Sequence, residues 1–356
     1  MTDEDFLQKA LEMRFLTPGL ADEARRVLRE IQVAGLELTA YDVCLRRRFL
    51  TMEQIDQIVG PEERTERKRF GPYTVLAKIG EGGMGSVYKA VKDGESQSYA
   101  LKILPKKFAA DPELHARFRR EAKIACALTH PNLVRGLDAG EIQGRLYYAM
   151  EYVDGILLSD VVDQRGPLPE KATLQIALQI TSALVEVHAQ GLVHRDIKPD
   201  NIIIDRQGVA KLMDLGLMKH TIMDVTTLTK TGFTVGTPFY MSYEQIMGRR
   251  DIDIRADIYS LGATLYHMVT GAAPFDSLSV MEILEKFQTL RLEDPRGVQP
   301  DLSEGFCRVL SRMIAKDRRE RYATPKELLE ELNRVHDGVE PKTRPMSVLA
   351  PPKKRK

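Results

Sequence analysis

Cysteine is scarce. Cys44, Cys126 and Cys307 are the three in 356 residues, and they lie far apart with no Cys-x-x-Cys pair. That argues against a disulfide framework or a structural zinc site and makes a reducing, cytoplasmic setting the expectation. Long apolar runs are also missing: no stretch reaches the length of a membrane span. The longest candidate, Ile258 to Phe275, contains His267, Gly262 and Gly271, and reads as a buried helix ending at Gly271. The chain opens Met1-Thr2-Asp3-Glu4-Asp5, acidic where a secretory leader is basic, so no leader is expected. A formal net charge of +1 leaves no global field to recruit nucleic acid or an anionic membrane.

An apolar content of 43% and a charged content of 29% suit a globular chain that buries a core. Residues 1–60 have no glycine-rich loop and read as short amphipathic helices, with Leu7, Leu11 and Phe15 at helical spacing. Met13-Arg14-Phe15-Leu16-Thr17 recurs as Arg47-Arg48-Phe49-Leu50-Thr51, each Thr able to cap a following helix. Two duplicated helical hairpins would give this pattern, and so would the shared capping chemistry of small helices. Residues 61–72 begin with a charged stretch without an apolar face and read as a linker. From Tyr73 to about Tyr152, β-rich runs flank one helix that starts at Asp111-Pro112, an N-cap followed by Pro in the first turn. Beyond that the pattern is mostly helical, as at Ile176, Ile180, Leu184 and Val187.

The chemistry is concentrated in a few short motifs. Gly80-Glu81-Gly82-Gly83-Met84-Gly85-Ser86-Val87 is a GxGxxG loop between two strand-like runs, where glycines let a hairpin tip approach phosphates and Val87 offers an apolar face to a base. Lys102 at the end of the next strand would neutralise phosphates, and Glu121, on the single helix of this region, would hold Lys102 in an ion pair. His194-Arg195-Asp196-Ile197-Lys198-Pro199-Asp200-Asn201 puts a base (Asp196), a cation for the transferring phosphoryl group (Lys198) and a metal ligand (Asn201) in one loop. Asp214 in Met213-Asp214-Leu215-Gly216 is a second candidate metal ligand. Each motif alone has a bland explanation; their order along one chain does not.

With these residues the chain, from about 73 to 336, resembles the eukaryotic-type (Hanks-type) Ser/Thr protein kinase family, and is most similar to its bacterial branch. The resemblance implies an α+β, bilobal protein-kinase fold: a small β-rich lobe at about 73–152, a larger helical lobe at about 153–336, and an all-α module before them. It implies ATP and Mg²⁺ as cofactors and protein Ser/Thr hydroxyls as substrates, Lys198 two residues after Asp196 being similar to the Ser/Thr pattern. Met150 would be the gatekeeper, Glu151 and Val153 would hydrogen-bond adenine through their backbones, and Ile79, Val87, Ala100 and Ile203 would sandwich the base. In the family's manner, Arg195 suggests control by autophosphorylation, with Thr229, Thr231 and Thr234 as acceptors and Thr237 docking the substrate. Asp257 would brace the catalytic loop and Arg321 would pair with Glu244. Two positions depart from the family: Leu215 replaces Phe, and Tyr243 stands where Pro is typical, which would free the backbone that anchors the docking segment.

Residues 337–356 are Pro-rich and polar, end in Lys353-Lys354-Arg355-Lys356, and are expected to be a disordered tail. The helical module is the candidate docking or self-association element. A nucleotide-binding pseudokinase scaffold and a small-molecule kinase are the rival functions; retention of Lys102, Asp196 and Asp214 counts against the first, and Gly236-Thr237-Pro238 with Glu244 against the second.

Overall fold

The structure is a computed structural model that describes residues 2–33, 39–47, 49–59, 69–82, 85–215, 238–249, 251–275, 282–283, 292–344 and 349–350. The chain forms two compact units, Met1–Arg69 and Phe70–Lys356.

The first unit has four described helices: α1 (Asp3–Glu12), α2 (Pro18–Val33), α3 (Ala40–Arg46) and α4 (Met52–Val59). Their apolar faces share one core that includes Phe6, Leu7, Ala10, Leu16, Val43, Cys44, Leu50, Ile55 and Ile58. The Arg-Phe-Leu-Thr repeat is structural. The Ala10 carbonyl accepts from the Phe15 and Leu16 N–H groups at 2.9 and 3.2 Å, and the Cys44 carbonyl accepts from Phe49 and Leu50 at 2.8 and 3.3 Å. Thr17 Oγ1 then accepts from the Leu20 N–H (3.4 Å) and Thr51 Oγ1 from the Gln54 N–H (3.3 Å). Two hairpins therefore end and restart with the same hydrogen bonds, one cap at the head of α2 and one at the head of α4.

The second unit opens with a sheet in the order β1-β2-β3-β4-β6-β5, built from β1 (Arg69–Phe70), β2 (Tyr73–Gly82), β3 (Gly85–Lys92), β4 (Ser98–Ile103), β5 (Gly136–Ile142) and β6 (Arg145–Glu151), with antiparallel pairing from β2 onward. Helix α6 (Pro112–Ala127) starts as its sequence dictates, Asp111 accepting from the Glu113 and Leu114 N–H groups at 2.9 and 3.1 Å. It is not the lobe's single helix: a one-turn α5 (Lys106–Ala110) precedes it, anchored by the buried Phe108.

Below the sheet lie β7 (Gly155–Leu157), α7 (Leu158–Arg165), α8 (Glu170–Ala189), β8 (Ile202–Asp205), β9 (Ala210–Leu212), α9 (Tyr243–Ile246), α10 (Arg255–Thr270), β10 (Leu292–Glu293), α11 (Glu304–Met313), α12 (Pro325–His336) and β11 (Leu349–Ala350). Strands β7, β8 and β9 form a small antiparallel sheet. The α8 face with Ile180, Leu184 and Val187 joins Ile258, Leu261 and Leu265 of α10 in the main core. As expected, α10 stops where Gly271 takes a left-handed φ of 75°.

The expected disorder of 337–356 is corrected for residues 337–344 and 349–350. Glu331 on α12 accepts hydrogen bonds from the Lys342 N–H (3.1 Å), the Thr343 N–H (2.8 Å) and Thr343 Oγ1 (2.7 Å), which also contacts Tyr322 Oη at 2.7 Å. Leu349–Ala350 pairs in parallel with Leu292–Glu293. Polar anchoring substitutes here for the apolar content that the segment lacks.

Candidate active site

The glycine-rich loop is the hairpin between β2 and β3, with Glu81 opposite Ser86 and Gly82 opposite Gly85; Gly83 and Met84 at its tip lie outside the described residues. Two of its glycines serve different ends. A Cβ on Gly85, at φ 127°, would run into the Ile103 carbonyl oxygen of β4, so this glycine lets two strands approach. A Cβ on Gly80 would meet nothing closer than Val87 at 3.7 Å, so the fold does not require glycine there. Glu81 pairs with Lys78 at 2.8 Å.

Behind the loop, cross-strand register places Val87 opposite Lys102 and Ala100 opposite Met150. Ala100, Met150 and Ile203 are buried in one apolar cluster against which Val87, Val153 and Leu215 pack. Ile79 is 44% exposed and stands outside that cluster. The Glu151 N–H is committed to the Arg135 carbonyl (2.9 Å), and its carboxylate holds Lys211 at 2.7 Å.

Lys102 receives a carboxylate other than the expected one: its Nζ donates to Asp214 Oδ2 at 2.7 Å. Asp214 is itself at a left-handed φ of 54°. Glu121 is electrostatically coupled to Arg195 instead. Burial pushes the Arg195 guanidinium below its ordinary pKa, while the charges of Asp257 and Glu121 oppose that shift.

The catalytic loop is locked by reciprocal hydrogen bonds. Asn201 Nδ2 donates to the Asp196 carbonyl (2.7 Å) and to Asp196 Oδ2 (2.6 Å). Both partners are acceptors, so the amide orientation is determined and Asn201 Oδ1 is the atom left for a cation. Buried His194 bridges the two candidate metal-binding segments: Nε2 donates to the Met213 carbonyl (2.8 Å) and Nδ1 accepts from the Asp196 N–H (3.3 Å). That pattern fixes the neutral tautomer. The Met213 N–H in turn donates to the Asn201 carbonyl at 2.8 Å. Lys198 lies 3.8 Å from Asp200.

Asp257, fully buried on α10, accepts from the His194 N–H (2.7 Å) and the Arg195 N–H (2.6 Å). Burial raises its carboxyl to about 7, against the lowering effect of those two N–H groups. Arg321 and Glu244 form a buried bidentate pair at 2.6 and 3.0 Å. Tyr243 does not free the backbone. It is the first residue of α9, where Gln245 Oε1 accepts from both the Ser242 N–H (3.0 Å) and Ser242 Oγ (3.1 Å) and so holds the turn that a Pro would have stiffened. Sequence reasoning passed over His194 and Gln245; the first was legible as the residue leading the catalytic loop, the second had no signal beyond its place beside Glu244. Thr229, Thr231, Thr234 and Thr237 lie outside the described residues.

Comparison with known proteins decides the family. A profile described as the protein kinase domain matches residues 73–332. The chain belongs to this family. It is similar to the Ser/Thr protein kinase PknB of Mycobacterium leprae, 39% identical over 274 residues covering 74% of this chain and 43% of that protein. It is likewise similar to PrkC of Bacillus subtilis, 37% identical over 268 residues covering 75% of this chain and 41% of that protein. The chain thus spans under half the length of each. Among solved structures, the Mycobacterium tuberculosis PknI kinase domain matches with a TM-score of 0.61 at 31% identity, covering 75% of this chain and 98% of that one. The matched region begins at β2, so the four-helix unit is outside the family's domain. Among the described residues no helix is long and apolar enough to cross a membrane.

Proposed function

We propose that this chain is an ATP-dependent protein kinase that transfers the γ-phosphate to Ser or Thr hydroxyls of proteins. The observation that carries the proposal is the hydrogen-bonded triad of His194, Asp196 and Asn201, joined through the Met213 backbone to the segment of the Lys102–Asp214 pair. A carboxylate oriented by an Asn amide, beside an acid and a cation that neutralise each other, has the parts for phosphoryl transfer. Asp196 accepts the proton of the attacking hydroxyl, and Lys198 offsets charge on the moving phosphoryl group. Lys102, released from Asp214, neutralises the non-transferred phosphates. The donor set fits Mg²⁺: Asn201 Oδ1 and the Asp214 carboxylate are hard oxygens, and this ion keeps most of its waters. When bound, it would neutralise phosphate charge as the transfer proceeds. The cluster of Ala100, Met150, Ile203, Val87 and Val153 supports an apolar seat for adenine, with Ile79 as the outer face and the Glu151–Val153 backbone as its hydrogen-bonding edge.

Regulation by the activation segment is supported by Arg195. Its side chain is buried, Nε has no partner among the described residues, and Nη2 reaches only the Ile252 carbonyl at 3.5 Å. A phosphate on Thr229, Thr231 or Thr234 would supply the missing acceptor, while Thr237 would dock the substrate. The helical unit is proposed as a docking or self-association element. The three free cysteines, two of them buried, favour a cytoplasmic setting. Transfer of labelled γ-phosphate to a generic basic protein, wild type against Asp196→Ala, tests the activity, and phosphosite mapping after incubation with ATP and Mg²⁺ tests the regulation. A fully active enzyme with unmodified Thr residues would refute the second.

A further inference from the structure

The peptide that carries the base hangs from a residue in an unfavourable conformation. Arg195 has a φ of 64°, the left-handed region that bulky L-residues avoid and that persists only where surrounding structure over-determines it. Both of its backbone polar groups are held. Its N–H donates to Asp257 Oδ1 at 2.6 Å, and its carbonyl accepts from Gln245 Nε2 at 3.0 Å. Gln245 is buried, and its amide has one orientation: the nitrogen faces a carbonyl, and Oε1 faces the N–H and hydroxyl of Ser242. One side chain therefore spans from the head of α9, the end of the segment that presents the substrate, to the residue immediately before Asp196.

We propose that Gln245 is a positioning residue for phosphoryl transfer, locking the Arg195 carbonyl so that the base is held in register with the substrate-docking segment. This rests on the kinase reading above. Asp257 secures one side of the strained residue and Gln245 the other. Loss of the Gln245 donor would let the Arg195–Asp196 peptide rotate, and a misplaced base costs rate rather than nucleotide affinity.

The competing explanation is that Gln245 merely caps α9, and the variants separate the two. Gln245→Glu keeps an oxygen for Ser242 but removes the donor to Arg195; Gln245→Met, of similar length, removes both and serves if the buried carboxylate unfolds the chain. Ser242→Ala weakens the cap and spares the donor. Full-length variants are read by amide hydrogen exchange and by steady-state kinetics. The Glu and Met variants should speed exchange at the Asp196 N–H, the amide of the peptide whose carbonyl Gln245 holds, at least about tenfold and lower kcat about tenfold to hundredfold, with KM for ATP within about twofold. Ser242→Ala should leave both readings within about threefold. Unchanged exchange and kcat in the Glu or Met variant would overturn the proposal. So would a Ser242→Ala variant equal to them, or a parallel loss of ATP affinity and of protection throughout the lobe. A wild type that transfers no phosphate would refute the kinase reading on its own, and exchange at the Asp196 N–H would still decide whether Gln245 holds that peptide.

Discussion

Arg321 offers the sharpest test of how the large lobe is held together. All five of its N–H donors are used: Nε on the Ala315 carbonyl at 2.7 Å, Nη1 on Glu244 Oε1 (2.6 Å) and the Arg255 carbonyl (3.0 Å), and Nη2 on Glu244 Oε2 (3.0 Å) and the Lys316 carbonyl (3.1 Å). The guanidinium also lies 4.9 Å from the Tyr259 ring centroid, and the side-chain exposures are 0% for Arg321 and 3% for Glu244. Arg321→Met leaves a buried carboxylate and three carbonyls without their donors, a loss of about 3–5 kcal/mol. Spread over a unit of this size, that lowers its melting temperature by roughly 6–20 °C. Replacing both partners removes the stranded charge, so Arg321→Met combined with Glu244→Leu should recover much of the loss. Arg321→Lys should behave like the Met variant in part, because three mobile donors cannot serve five acceptors in fork geometry. Calorimetry on the full chain reads all three. A Met variant within about 2 °C of wild type, or a double variant no better than the single, would refute the reasoning.

Asp257 should give a pH signature. Its folded carboxyl titrates at about 7 against an ordinary 3.8, so between those values the folded chain holds a proton that the unfolded chain has released. Stability from this group is greatest below the lower value and declines as pH rises through the higher one. The stability difference between wild type and Asp257→Asn, followed by denaturant titration from pH 5 to 8, should therefore shrink with rising pH. Gly85→Ala should cost several °C in melting temperature because its Cβ meets the Ile103 carbonyl, whereas Gly80→Ala should leave folding intact and affect nucleotide affinity alone; thermal scans with and without ATP distinguish them. Thr17→Ala and Thr51→Ala should each destabilise the helical unit by about 1 kcal/mol, equally, because they cap corresponding helices. Unequal losses by circular dichroism would count against the duplication.

What could be read from the chain alone is what local spacing encodes. The GxGxxG hairpin, the run from His194 to Asn201, the Asp111-Pro112 start and the Gly271 stop each depend on residues within a turn or a strand of one another, and each forms the element expected. Partners chosen by the tertiary fold were not legible. Lys102 pairs with Asp214, 112 residues away, and Gln245 reaches Arg195 across 50; no periodicity connects such positions. Glu331 anchors Thr343 although nothing in a Pro-rich, polar segment announces an ordered strap. Tyr243 misled for a related reason: losing Pro suggests a looser backbone, but the neighbouring Ser242 and Gln245 restore the constraint through side-chain bonds.

The central claim is that Asp196, oriented by Asn201 and His194, is the base for phosphoryl transfer to a hydroxyl. The most direct measurement is single-turnover transfer from pre-bound ATP and Mg²⁺ to a protein substrate by Asp196→Ala. The rate should fall about 10²–10⁴-fold while nucleotide affinity stays within a few-fold. Transfer at the wild-type rate in that variant would contradict the account.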